Sequence, residues 1–279
     1  MAEINGQSLP RKRGILFTLS AMLLGISLLA FASAISQQSA KAKAAASMLA
    51  EVDRTTGTYS NMEDVLEKIL SPAINISVQN STVWINESLP LSPQVSTNLD
   101  RFSRFESLYS DQNITMELAN LKGGYFVIRP GEVSVTNAPG EFFITPQNSP
   151  DSSDTVNSYY VELVVPAGGA DSAAWQLLSN SSGSRMAVRV VVRDEDYAFY
   201  SDAGSILLDR HGTSVLNVSN AGSQVALVTF SSPAALHVEA PGNIGLKTSV
   251  GFTNPVRVEA NDVLTVLGAA NRTGYVRIA

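Results

Sequence analysis

The sequence predicts a mostly β protein: an N-terminal transmembrane helix and a helical stalk, followed by an antiparallel β-sandwich-like ectodomain. Three observations carry that expectation. An uncharged apolar run opens the chain behind three bases, a polar but helix-forming segment follows it, and beyond about residue 72 apolar and polar side chains alternate in short runs divided by Gly, Pro and Asn. The 279 residues include no cysteine, which excludes a disulfide scaffold, a thiolate metal site and a cysteine nucleophile. Only 16% of the chain is charged, so its polarity comes mainly from hydroxyls and amides, unlike a disordered or coiled-coil chain.

Residues 1–14 form a basic segment expected in the cytoplasm. Arg11, Lys12 and Arg13 outweigh the single acid Glu3, whereas the chain after residue 36 carries a net charge of −8. Such an acidic body repels phosphate backbones, so no nucleic-acid partner is expected. The 21 uncharged residues 15–35 would run ~32 Å as a helix, enough to cross the ~30 Å hydrocarbon core of a bilayer. Residues 15–36 are therefore read as the membrane span. With the bases before it and the acids after it, the N-terminus lies in the cytoplasm and the body outside the cell. Small residues four apart, Ala21 with Gly25 and Ala30 with Ala34, would let two such helices pack closely.

Three fates for this segment follow from its flanks. It can stay as a signal anchor. It can be removed as a secretory signal, since Ala32-Ser33-Ala34 offers a small-x-small site and cleavage would follow Ala34. Third, Lys12-Arg13-Gly14 followed at once by the apolar run resembles the class III signal of archaeal type IV pilins, archaellins and related surface proteins. That resemblance spans about residues 11–54. It implies cleavage after Gly14, a hydrophobic helix kept on the mature chain, and other filament or surface proteins as partners. The chain departs from the bacterial pattern at Leu19, where most bacterial pilins carry a glutamate.

Residues 37–71 are expected to form the stalk. Residues 37–54 are strong helix formers without Gly or Pro, the Thr-Thr-Gly-Thr stretch 55–58 is read as an interruption, and Ser60 with Glu63 has the spacing of a capping box. Met62, Val65, Leu66, Ile69 and Leu70 then share one helical face, and Pro72 closes the helix.

Two β-rich domains are expected, 72–168 with one short helix and 169–279. The first opens with a hairpin over residues 74–85. It continues with a helix over 98–109, placing Leu99, Phe102, Phe105, Leu108 and Tyr109 on one stripe, and with strands at 115–118, 125–129, 133–136 and 141–145. Further strands are read at 159–165, 186–192, 205–208, 214–218, 224–230, 235–240, 245–250, 256–259, 263–267 and 275–278. The division rests on polar and glycine-rich loops near residues 147–154 and 166–170, and on an Ala-Pro-Gly turn at Ala138 that recurs at Ala240.

Chemistry is sparse. Asp194, Glu195 and Asp196 with Asp202 could offer oxygen ligands to Ca²⁺, but the Asp-x-Asp-x-Asp-Gly loop is missing and a solvated turn is the simpler reading. His211 beside Asp209 and Ser214 invites a triad, yet the chain has no Gly-x-Ser-x-Gly elbow, and His211 is read as a turn residue. His237 is expected on the polar side of its strand. No P-loop, dinucleotide fingerprint or His-Glu-x-x-His helix is present, so no enzyme activity and no cofactor or metal are expected. Asn75, Asn80, Asn86, Asn113, Asn180, Asn217 and Asn271 each open an Asn-x-Ser/Thr sequon, where composition alone gives about three, so a glycoprotein is expected. The function that follows is a single-pass, membrane-anchored surface protein with a structural or interaction role in the cell envelope. The alternatives are a pilin-like minor filament subunit and a secreted β protein.

Overall fold

The computed structural model describes residues 10–70, 75–89, 94–110, 112–147, 156–179, 184–268 and 270–278. The chain divides into two compact units, Met1–Arg54 and Thr55–Ala279. The first helix, α1 (Pro10–Leu70), is helical throughout and contributes to both.

In the first unit every large apolar side chain from Phe17 to Ile35 is exposed, Phe17 to 79% and Leu29 to 73%. The Ser27 hydroxyl donates to the Leu24 carbonyl at 2.9 Å, a bond made within the helix. By length and composition this helix can cross a membrane, and none of its most apolar stretch is buried within the molecule. Residues 26–56 contain neither Gly nor Pro, so nothing in the backbone breaks the helix there.

The second unit begins inside α1. Thr55 and Leu66 are fully buried, and Tyr59 and Met62 nearly so. The interruption expected at 55–58 does not occur, and Ser60 and Glu63 lie within a helix rather than at its start. Burying one face of this segment outweighs the poor helix propensity of Thr and Gly. Of the expected face, Met62 and Leu66 are buried and Ile69 is half-buried, but Val65 is exposed.

Among the described residues sixteen strands follow: β1 (Asn75–Gln79), β2 (Thr82–Leu89), β3 (Asn113–Glu117), β4 (Tyr125–Arg129), β5 (Val133–Ala138), β6 (Glu141–Pro146), β7 (Val156–Val165), β8 (Ser172–Leu177), β9 (Arg185–Asp194), β10 (Tyr200–Asp209), β11 (Ser214–Asn220), β12 (Ser223–Ser231), β13 (Ala235–Glu239), β14 (Ile244–Phe252), β15 (Arg257–Leu267) and β16 (Arg272–Arg277). Two short helices, α2 (Gln94–Tyr109) and α3 (Ala119–Lys122), precede and follow β3. One sheet has six strands in the order β1-β2-β14-β7-β9-β10. The other has ten, in the order β16-β15-β4-β5-β6-β13-β12-β11-β8, with β3 also paired to β15. All pairs are antiparallel except β7 with β9. The chain leaves the first sheet after β7, adds β8 to the second, and returns. The fold is mostly β, as expected.

The inner faces of both sheets contribute to a single core. Ile85, Val161, Leu163, Val188 and Leu246 from the first join Phe126, Ile128, Phe142, Ile144, Val228 and Phe230 from the second. The Tyr159 hydroxyl bridges them by donating to the Ala234 carbonyl at 2.7 Å, and its ring lies 5.8 Å from that of Phe230. The expected division after residue 168 is therefore corrected. β14 sits between β2 and β7, and β13 pairs with β6, so strands from both sides of that point share each sheet. Neither half has a core of its own. The Ala-Pro-Gly turns at Ala138 and Ala240 meet within one sheet, where the Ala240 amide donates to the Gly140 carbonyl at 2.8 Å. Gly140 takes φ +81° there, a conformation that favours glycine.

Two further expectations change. On α2, Leu99 and Phe102 are buried, but Phe105, Leu108 and Tyr109 are exposed, because the buried stripe runs through Leu99 and Phe102 and stops before the last turn. The segments 256–259 and 263–267 form one strand, β15, with a register shift between Glu259 and Val263. Asp262 lies in this irregular stretch. It is buried, and its carboxylate accepts the amides of Asn120 at 3.0 Å and Leu121 at 2.7 Å, capping the start of α3. Asp262→Ala leaves two donors without that acceptor, and the expected loss is about 2–4 kcal/mol of unfolding free energy. Urea denaturation checks it, and Asp262→Asn should retain part of the stability.

Candidate functional site

The open face of the six-stranded sheet gathers two aromatic side chains and two carboxylate–arginine pairs. Period-two alternation turns Val83, Ile85, Val161, Leu163, Val188 and Val190 inward and leaves their neighbours outside. Register then sets these neighbours in rows. Trp84, Ser249, Tyr160 and Arg189 lie side by side on β2, β14, β7 and β9, and Asn86, Lys247, Glu162, Val191 and Asp202 form the next row. The Trp84 and Tyr160 rings approach over the small Ser249, with centroids 6.0 Å apart and planes 53° apart.

Two linked clusters of charge cross these rows. Glu162 accepts from the Arg193 Nε at 2.8 Å and from the Tyr160 hydroxyl at 3.2 Å, and the Arg193 guanidinium lies 4.6 Å over the Tyr197 ring. Asp202 accepts from the Arg189 Nη2 at 2.6 Å and Nε at 3.3 Å, from the Tyr200 hydroxyl at 3.3 Å and from the Gly204 amide at 2.9 Å. The fork of Arg189 is bidentate, the stronger geometry for such a pair. Hydrogen bonding from Arg189, then from the Gly204 amide, holds the Asp202 carboxyl at about 2. Burial pushes the Glu162 carboxyl up, but the Arg193 hydrogen bond and the Lys247 charge together bring it below its ordinary value. Burial, then the charge of Glu162, raises the Tyr160 phenol. Both carboxylates are thus held ionised by fixed partners, which suits a rigid recognition surface better than proton transfer.

A depressed folded-state carboxyl contributes stability that is present above its unfolded value and lost as pH falls through the folded one. For Asp202 that window runs from about 4 in the unfolded chain down to about 2. Asp202→Asn should therefore lower the denaturation midpoint at pH 7 and narrow its gap to the wild-type chain as pH falls from about 4 to 2. Denaturation series at fixed pH values read that narrowing directly.

Away from this face, a groove of about 630 Å³ runs beside the body segment of α1, lined by Glu63, Asp64 and Glu67 together with Ser77 and Arg277. Nearby, the Arg272 guanidinium lies 4.5 Å over the Tyr59 ring, and the Tyr59 hydroxyl reaches the Tyr275 carbonyl at 3.5 Å. Burial and then Glu63 raise the Tyr59 phenol. Gly274 makes the approach of Tyr59 feasible, since a Cβ there would stand 2.5 Å from the phenol oxygen.

The acids singled out in the sequence do not converge. Alternation puts Asp194 on the inner side of β9, buried at the strand end, where its Oδ1 accepts the Phe199 amide at 3.0 Å. Burial pushes its carboxyl up, but the hydrogen bond from the Phe199 amide brings it below the ordinary range. Glu195 and Asp196 are exposed in the turn, and Asp202 belongs to the open face. Among the described residues no group of three His, Asp or Glu side chains is placed to hold a metal ion. Asp209 accepts the backbone amide of His211 at 3.0 Å, and the Ser214 hydroxyl accepts the Ser179 amide at 2.9 Å, so these groups serve turns. His237 stacks on Phe143 with centroids 4.0 Å apart on the outer side of β13.

The sequons occupy unlike environments. Asn80, in the β1–β2 turn with φ 56°, and Asn271, before β16 with φ 35°, are exposed, as is Asn113 at the start of β3. Asn86 is half-buried on the open face. Asn217 lies mid-strand between Leu227 and Ala174, and its buried Oδ1 has no hydrogen-bond partner. Asn75 opens β1, but its side chain lies outside the described residues, as do Asn180 and the side chains of Arg11, Lys12 and Arg13. Gly14 falls within α1, and Ala34 is exposed in the same helix.

No family model, no curated protein and no solved structure matches the chain.

Proposed function

We propose that the chain is a single-pass surface protein whose apolar helix holds an extracytoplasmic β body at the membrane, with a structural or interaction role in the envelope. The observation that carries this reading is the exposure of every large apolar side chain described in α1 from Phe17 to Ile35, including Leu23, Leu24, Leu28 and Leu29. A contiguous apolar surface of that extent in water is strongly unfavourable, and lipid is the medium that matches its length. The bases at Arg11, Lys12 and Arg13 favour a cytoplasmic N-terminus. The exposed sequons at Asn80, Asn113 and Asn271 support an outward body carrying glycans. The open face of the six-stranded sheet supplies the surface for recognition, with Trp84, Tyr160 and Lys247 among fixed ion pairs.

The test has two parts. Alkaline extraction of membranes should leave the full chain in the pellet, and protease added to whole cells should digest the body. Mass measurement of the purified chain should give Met1 or Ala2 at the N-terminus and glycan on Asn80, with Asn217 unmodified. Ile35 at the N-terminus would identify a secreted product.

The filament alternative has one observation in its favour: α1 is helical from Pro10 to Leu70, so processing after Gly14 would leave its apolar part on the mature chain. An N-terminus at Ile15 would select it.

A further inference from the structure

Outside the expected span, residues 37–54 of α1 contain three large apolar side chains, and all three are uncovered: Met48 is 67% exposed, Leu49 65% and Val52 37%. The same stretch carries five charges, Lys41, Lys43, Glu51, Asp53 and Arg54. Their placement is not random around the helix. Beginning at Ile35, steps of three and four residues pass through Gln38, Ala42, Ala45, Leu49 and Val52, a seam with a period of 3.5 residues. None of the five charges falls on it. Lys43, Glu51 and Arg54 take positions far from the seam, and Lys41 and Asp53 flank it, where the edges of a paired helix stay wet. Alanines occur on every side of this helix and discriminate nothing. The pattern rests on Ile35, Leu49 and Val52 inside the seam, with Met48 on its flank, and on the charges outside it.

A helix with such a seam buries it against another helix, since a strict seven-residue repeat keeps one stripe facing a partner. We infer that residues 35–52 pair in parallel and in register with the same segment of a second copy of this chain. The choice of occupant follows from the span reading, on which this inference rests. Two copies anchored by residues 15–36 in one bilayer have these segments side by side, at the same height and pointing the same way. Confinement of that kind raises the effective concentration of a parallel partner without any new contact. Alanine at two successive seam positions lets the two backbones approach closely, and Gln38, the single polar member, favours the register in which it meets its own copy.

The absence of native cysteine makes the experiment clean. Single substitutions Ala45→Cys, Leu49→Cys and Val52→Cys on the seam, and Ala44→Cys, Ser47→Cys and Ala50→Cys off it, are placed in the full-length chain and oxidised in native membranes. The expected result is disulfide-linked dimer at the three seam positions, in several-fold higher yield than at the other three. Adding Leu49→Glu to Ala45→Cys should abolish the cross-link. Equal yields at all six positions, or no dimer at any of them, overturn the pairing. The cross-link pattern decides the pairing and the membrane or soluble fraction holding the protein decides the span, so the two readings fail separately.

Discussion

A chain that begins at Thr55 folds into the β body, and one that begins at Asn75 does not. Between these two starts lie Tyr59, Met62 and Leu66, each nearly or fully buried in the core shared by both sheets. Burying a large apolar side chain is worth roughly 1.5–3 kcal/mol, so together they supply about 5–9 kcal/mol, a sum comparable with the whole stability of ~5–15 kcal/mol of an ordinary domain. The expected readout is a cooperative thermal transition for the longer chain and none for the shorter one. A cooperative transition of unchanged midpoint in the chain starting at Asn75 would show that the helix merely leans on the body.

The second large effect concerns location. Leu24→Arg with Leu28→Arg puts two charges one turn apart near the middle of the apolar run. An arginine at the centre of a membrane helix costs about 2.5–3.5 kcal/mol on insertion scales. Two of them, about 5–7 kcal/mol, shift a two-state partition by roughly 10⁴-fold or more. The expected outcome is loss of the chain from alkali-washed membranes, whereas Ser47→Arg, beyond the span, leaves it there. The circular dichroism of the separate body, Thr55 onward, is the control that the doubly substituted chain must match in its β signal.

Much of the strand pattern was legible because it is local. Tyr125–Arg129 fits its expected run, and most other strands extend theirs by a few residues. β8 was missed because Ser172-Ala-Ala-Trp-Gln-Leu has no alternation of strongly apolar and polar residues, and it forms only by pairing with β11 at a sheet edge. The helix through Gly57 was misread for the converse reason. Propensity opposed it, and the burial of Tyr59 that helps decide the matter depends on residues some 200 positions away, such as Arg272 and Gly274. The supposed acid cluster illustrates a third limit. Asp194 and Asp202 are close in sequence, but the alternation of β9 and the register with β10 place them on opposite faces. Partners such as Arg189 for Asp202 and Arg193 for Glu162 become visible only once register is known.

The order of strands in the two sheets has a consequence for biogenesis. β15 joins β3 and β4, and β14 closes the gap between β2 and β7, so elements made first wait for elements made last. Neither sheet can be completed until β14 and β15 have been synthesised. Without cysteines, no disulfide can hold a partly folded chain. Closure must then be slow, as expected for a topology dominated by distant pairings, and the newly made polypeptide presents unpaired strand edges to its surroundings until β14 and β15 are in place.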